Sequence, residues 1–447
     1  MGVFITIAIR NLLQSKRRTA FLGLALSLVT MLLILLLGLS QGISDNLIGS
    51  ATTLSAGHIN VGGFYKITNS DVSPILTGSG QLMKDVAAST PGVERIIDRH
   101  RGWAKLVTET SSMYAGLNGV DIKQEDRLVE VVHLAQEKEY REGGSAEVKG
   151  DVGRLSEPNT AMIFVAHAKR LGVGVGDVIT LRTETLDGYN NTVDVTVVAV
   201  AQDFGLLSNW TIFVPKQTLV QLYQLKPDTT GAIMIYLDNI EDAEPTMATL
   251  RANLLERGYR VMDHQGSPFF AKFETVQGED WTGQKLDLTT WEDEVSFLTW
   301  ILTAFDMITV FLVGVLVVII AIGIMNTMWM AVRERTAEIG TLRAIGMSRG
   351  RVLFMFVAEA FVLGLVATSA GAVLGLVIAL VLNALAIDIP VDAVRAILLS
   401  DTLVLSVTAR HMVESVAALT FFTVAAALWP SIRASRLQPV TAMQHVE

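Results

Sequence analysis

The sequence predicts a membrane α-helical fold: four transmembrane helices, with a large mixed α/β extracytoplasmic domain inserted between helices 1 and 2. Two observations predict it. Uncharged apolar runs gather near the N-terminus and in the last third, while the middle carries interspersed charges like a water-soluble domain. The averages decide less. The 447 residues are 51% hydrophobic with a mean hydropathy of +0.44, and soluble domains already reach about 45–50% apolar residues.

A bilayer core about 30 Å thick is crossed by roughly 20 apolar helical residues. Ala20–Ser44, Met307–Val332, Ala360–Ile387 and Ser415–Ile432 meet that test without a charge. The first exceeds the apolar stretch of a secretory signal, about 7–15 residues, and lacks a small-x-small cleavage site, so it reads as an uncleaved span. With their flanks these runs divide the chain into an amphipathic cytoplasmic N-terminal helix (1–18), span one (19–44), the outer domain (45–294), a stalk with span two (295–332), a cytoplasmic helical segment (333–351), span three (352–387), an outer loop (388–411), span four (412–432) and a tail (433–447).

Lys and Arg mark the cytoplasmic side. Arg10, Lys16, Arg17 and Arg18 precede span one; Arg333, Arg335, Arg343, Arg349 and Arg351 separate spans two and three; Arg433 and Arg436 follow span four. The loop after span three holds Asp388, Asp392 and Asp401 instead. Both termini are therefore expected inside and 45–294 outside. Val3–Leu13, with Phe4, Ile7, Ile9, Leu12 and Leu13, reads as an amphipathic helix on the inner membrane surface or as an extension of span one.

The net charge of −9 speaks against nucleic acid as a partner. Absence of cysteine removes disulfides and thiolate metal sites. The seven histidines, among them His58, His133 and His264, show no metal-ligand spacing, and no catalytic constellation stands out. Asp306 sits at the outer end of span two and reads as interfacial. Glu359 lies inside span three, where structural and functional roles stay equally open. Ala367, Gly371 and Gly375 form a small-xxx-small packing face, for which another subunit is one candidate neighbour.

In the outer domain, strands are read over Gly57–Gly62, Gly102–Thr108, Met113–Val120, Ala161–Val165, Val178–Thr183, Val193–Val200, Thr211–Val214, Ala232–Leu237 and Tyr259–Asp263. Helices are read over Gln81–Ser89, Thr218–Leu225 and Asp242–Arg257, and from about Thr289 a continuous helix into span two. About 112–215 reads as a β-rich inserted subdomain. The run LGVGVGD at 171–177 leads into a strand without a following Lys-Ser/Thr, so it is a tight turn and not a phosphate loop.

Residues 325–351 read MNTMWMAVRERTAEIGTLRAIGMSRGR. Ile339, Leu342 and Ile345 recur every three residues as one apolar face, and Glu334, Arg335, Glu338 and Arg343 supply polar contacts. Gly346 is placed to end the helix, because glycine tolerates left-handed geometry. On periodicity alone a docking lever and a plain surface helix are equally good readings.

This stretch resembles the loop of FtsX/MacB-type permeases, roughly RERxxEIGxLRAIGxSRxxI, which Arg333, Glu334, Arg335, Glu338, Ile339, Gly340, Leu342, Arg343, Ala344, Gly346 and Arg351 fit. ALWPSIRASRLQPVTAM at 427–443 resembles the family's closing pattern through Pro430, Arg433, Ala434, Leu437, Pro439 and Ala442. IRNLLQSKRRTAFL resembles its opening, and VAHAKRLGVGVGDVITL at 165–181 its outer domain. The resemblance implies the non-catalytic permease subunit of an ABC transporter (type VII superfamily) in the bacterial inner membrane, dimeric with a second copy or a paralogue. It implies a coupling helix over Arg333–Gly346, including Ile345, that docks on a cytoplasmic ABC ATPase dimer. ATP and Mg belong to that partner, since no GxxxxGK[ST] occurs here. No cofactor is expected in this chain. The layout looks closest to lipoprotein-releasing LolC/LolE-like permeases, which implies lipoprotein or lipid release, with membrane lipids and a periplasmic chaperone as partners. MacB-like export of peptides, toxins or drugs through a membrane-fusion adaptor, and FtsX-like signalling to a cell-wall enzyme, are the alternatives.

Overall fold

The structure, a computed structural model, describes residues 10, 12, 14, 16–68, 72–90, 92–391, 394 and 402–437. Apart from Arg10 and Leu12, the amphipathic segment read over Val3–Leu13 lies outside them, as do Asp392, Asp401, Pro439 and Ala442. The chain forms two units, each described by itself: a helical unit (1–45, 302–389 and 401–447) and an inserted domain (46–301 with 390–400).

Among the described residues, five helices belong to or enter the helical unit: α1 (Lys16–Ala51), α2 (Ser296–Glu334), α3 (Thr336–Ala344), α4 (Arg349–Ala384) and α5 (Ala409–Ser435). Among the described residues α1, α2, α4 and α5 are long and apolar enough to cross a bilayer. Lipid offers no hydrogen-bond partner to a backbone, and a helix satisfies its own. The fold class read from the sequence is the one observed, four candidate spans with a mixed α/β domain between the first two.

The stripe Ala367, Gly371 and Gly375 is buried on α4. Its glycines face α1 of the same chain, not a neighbouring subunit. A Cβ on Gly371 would come 2.3 Å from the Ser27 carbonyl oxygen, and one on Gly375 would come 2.9 Å from Ile34 Cβ. The α4 helix also approaches α5 closely: Gly364 lies against Thr423, and the Thr368 and Thr420 hydroxyls are 3.2 Å apart. Two glycines that the sequence did not flag do the same on α1. Ser406 N–H donates to the Gly38 carbonyl at 2.8 Å, and a Cβ on Gly42 would strike the Val404 carbonyl. Helix α2 gives Ile320, Ile324, Met328 and Val332 to the common core. It leaves Val310, Phe311, Val318, Ile319 and Ile322 exposed, as suits a lipid-facing side.

The inserted domain carries β1 (Ile59–Lys66), β2 (Val72–Ser73), β3 (Leu76–Thr77), β4 (Val93–Val107), β5 (Ser112–Val120) and β6 (Thr160–Phe164). They are followed by β7 (Val178–Glu184), β8 (Asn190–Ala201), β9 (Thr211–Pro215), β10 (Thr229–Thr230), β11 (Ala232–Leu237) and β12 (Gly283–Thr290). The main sheet runs β12-β1-β11-β4-β5-β9-β6-β8-β7, and β4 also pairs with β7. Strands β4, β5, β9, β6, β8 and β7 therefore close into a ring around Ala104, Leu106, Ala115, Leu117, Ile163, Ile179 and Val195. The first half of β4 pairs with β11 in a second layer, where Ile59, Val61, Ile233, Ile235 and Leu288 pack against helix Ala243–Glu256. The β-rich stretch at about 112–215 supplies β5 to β9 of the ring, but β4, which precedes it, completes the ring and joins both layers.

Three local readings need correction. Tyr259–Asp263 is not a strand; only Val261 bridges to Leu286. Residues 283–290, read partly as helix, form β12, an edge strand along the whole of β1. The helix then starts at Trp291, capped by the Thr290 hydroxyl, and breaks at Val295 before α2, so it is not continuous into span two.

Gly371→Leu should destabilise the helical unit by about 1–3 kcal/mol, since the added side chain has only the α1 backbone to enter. Thermal unfolding of the purified chain in detergent checks this. Gly314→Leu is the control with a neutral outcome, because no heavy atom lies within 4 Å of its Cβ position.

Candidate functional site

The loop between spans two and three is built by one break and one stop. Helix α2 ends at Glu334, and Arg335 leaves helical geometry with φ −109° and ψ 18°. The break is braced: an Arg335 guanidinium nitrogen lies 3.3 Å from the Glu359 carboxylate on α4, both side chains being largely buried. That contact gives Glu359 a structural partner at the break. Asp306 is exposed, with the Ser40 hydroxyl 3.5 Å from its carboxylate.

Helix α3 stops at Gly346, whose φ is +104°. Gly346 N–H donates to the Arg343 carbonyl at 3.1 Å and Met347 N–H to the Leu342 carbonyl at 3.0 Å. This is the paired bond pattern of a left-handed helix stop, and it requires a residue without a Cβ penalty.

One face of α3 is seated on the helical unit. Ile339 is 1% exposed within its core, Gly340 is buried, and Leu342 is half-buried. Arg343 donates to the Ser435 carbonyl, the last of α5, at 2.5 Å. The opposite face, Ala337, Glu338, Thr341, Ala344 and Ile345, is exposed, with Ile345 at 81%. The expected single apolar face of Ile339, Leu342 and Ile345 is therefore split. Three residues fall short of a full turn by about 60°, so the third member has drifted about 120° from the first. Arg333 and Glu334 are exposed but close α2 and do not lie on α3. The arrangement offers an outward carboxylate (Glu338) and an outward apolar knob (Ile345) beside exposed Arg349 and Arg351.

A second constellation, in the inserted domain, escaped the sequence reading. After α1 the chain makes a wide turn over Thr52–Ala56. Arg99 donates to the Thr53 carbonyl at 2.7 Å and the Leu54 carbonyl at 3.0 Å, and grips both Glu125 carboxylate oxygens at 2.6 and 2.7 Å. Arg101 donates to the Ser55 carbonyl at 3.1 Å and to Asn60 Oδ1 at 3.2 Å. Asn60 donates to Glu294 at 3.4 Å, and the Thr289 hydroxyl donates to the same oxygen at 2.7 Å. Burial pushes the Glu294 carboxyl above its usual range, and the Arg101 charge opposes that rise. Buried Lys272 pairs at 2.8 Å with Asp287 of β12. The sole sequence signal was alternation: Arg99 and Arg101, two apart in a strand, share a face. Among the described residues no group of three or more His, Cys, Asp or Glu is placed to hold a metal ion.

Gly346→Ala should fray the end of α3. Left-handed geometry costs a non-glycine residue about 1–2 kcal/mol, so exchange of the Met347 amide should speed at least about 5-fold by hydrogen–deuterium exchange, with α4 unchanged.

Residues 19–253 match the family model of the MacB-like periplasmic core domain, and residues 310–439 that of the FtsX-like permease C-terminal domain. The macrolide export ATP-binding/permease protein MacB of Neisseria gonorrhoeae is 32% identical over 122 residues, which are 27% of this chain and 17% of that protein. The ABC transporter permease YtrF of Bacillus subtilis is 37% identical over 112 residues, 25% of each chain. The solved periplasmic region of MacB from Actinobacillus actinomycetemcomitans aligns over 57% of this chain and 97% of its own, at 11% identity and a TM-score of 0.29. The matched stretches thus span a quarter or less of these two curated relatives, while the core-domain family model alone spans more than half of this chain: the chain belongs to the FtsX/MacB-type family of ABC transporter permeases.

Proposed function

We propose that this chain is the permease subunit through which a cytoplasmic ABC ATPase dimer moves an extracytoplasmic domain, in the bacterial inner membrane and with both termini inside. One observation carries the reading. The exposed face of α3, with Glu338 and Ile345, is held rigidly to α4 and α5 through Ile339, Arg343 and the Arg335–Glu359 contact. A push on that face reaches α2 at its hinge and, along the same helix, the inserted domain. A second permease subunit, identical or paralogous, pairs with it through exposed apolar helix surface. Nucleotide and Mg are held by the ATPase partner, and this chain serves as a non-catalytic transmitter.

Cargo is handled outside the bilayer in this reading. Among the described residues of the four apolar runs and their edges, Asp306 lies exposed at one end and Glu359 is engaged with Arg335, which leaves no line of ionisable groups for a conduit. Lipoprotein or lipid release, handed to a chaperone, is the substrate proposal that the overall layout suggested. The match of residues 19–253 to the MacB-like core domain favours a second: export of compounds already outside the membrane, passed to an adaptor.

The variant Glu338→Lys/Ile345→Asp alters only exposed positions. It should lower cargo-dependent ATP hydrolysis by the reconstituted complex more than about 10-fold, equivalent to about 1.4 kcal/mol of coupling, with the chain's melting temperature unchanged. Full cargo-dependent turnover in that variant would remove α3 from the force path.

A further inference from the structure

Beside the Arg101 network the inserted domain holds a cavity of about 120 Å³. Arg101, Trp103, Phe269, Phe270, Phe273 and Glu294 line it, around bare backbone at Gly102 and Gly116. Trp103 is 44% and Phe270 55% exposed, so the cavity is reachable from solvent.

Its size, wall and polar groups each limit the occupant. An apolar cavity of about 150 Å³ admits one benzene molecule, so this space suits a single ring or branched aliphatic group and not an acyl chain or a macrocycle. The wall is aromatic, with Phe269 and Phe273 already edge-to-face at 5.7 Å, a geometry that a further ring extends. The polar group is Arg101. Its Nη2 is engaged and its guanidinium sits over Phe269 at 5.0 Å. Its Nη1 is shut off from solvent and has no hydrogen-bond partner among the described residues. An unmatched buried donor is costly, so an acceptor delivered there is favoured. Glu294, in the same lining, already sits beside the Arg101 charge, and an incoming carboxylate would crowd a second acid against it. The acceptor that fits is a neutral carbonyl.

We propose that this cavity receives one bulky apolar side chain, the size of Phe or Leu, from a polypeptide whose main-chain carbonyl accepts from Arg101 Nη1. The occupant then touches Ser55 and Glu294, the groups through which the domain holds the chain after α1 and before α2. This goes beyond the permease reading and needs no ATPase to be examined.

The full chain in lipid nanodiscs is titrated with Ac-Gly-Phe-Gly-NH2, Ac-Gly-Ala-Gly-NH2 and toluene, followed by saturation-transfer NMR. The Phe peptide should bind at least about 10-fold more tightly than the Ala peptide, since the two differ by a buried ring, and more tightly than toluene, which lacks the carbonyl. Phe270→Ala, an exposed position that leaves the core intact, should weaken the Phe peptide selectively, and Arg101→Met should level it with toluene. Equal binding of the two peptides, binding indifferent to Phe270→Ala, or toluene matching the peptide in the unaltered chain would each overturn the proposal.

Discussion

A backbone carbonyl released at the end of a membrane helix must find a donor, because the last turn has no further amide to offer it. In this chain arginine supplies that donor. Arg99 and Arg101 take the carbonyls of Thr53, Leu54 and Ser55 where the chain leaves α1, and Arg343 takes the Ser435 carbonyl at the end of α5. The choice of residue follows from geometry: a planar guanidinium presents several donors at fixed angles and satisfies two acceptors without rearranging. Each arginine thereby fixes one element to another. Arg99 ties the turn after α1 to β4 and, through Glu125, to the segment beyond β5. Arg343 ties α3 to α5.

Burying such charges carries a desolvation penalty that the attraction within the ion pair does little more than offset, so Arg99–Glu125 and Lys272–Asp287 are poor evidence of stability by themselves. Their value lies in directionality. Apolar contacts slide at small cost, whereas a bidentate pair with two further carbonyl bonds has one geometry. Such a root holds the turn after α1 in one place on β4.

The helical unit reaches rigidity by a different route. Between apolar helices in lipid there is little hydrophobic gain, and close van der Waals approach has to supply the contact. Gly371 and Gly375 against α1, Gly364 against α5, and Gly38 and Gly42 beneath residues 404–407 allow that approach. Helix α2 has much less of its apolar window buried than α4. It is therefore the span with most surface left for lipid or for another subunit, while α1, α4 and α5 form the packed remainder.

The sequence by itself determined the four spans, the inserted domain and the stop at Gly346. It also determined the turn at 171–177, where Gly172 and Gly176 take positive φ. These are local or solvent-imposed features: lipid forces uncharged runs into helices, and a left-handed backbone selects glycine. Tertiary structure alone decided which face of α3 is outward, that the stripe on α4 meets α1, that β4 closes the ring with β7, and that Arg99 finds Glu125. Periodicity reports what a residue does within its own element. Partners far along the chain are set by packing in three dimensions, where Ile339 and Ile345, alike in sequence, meet a helical core and open solvent.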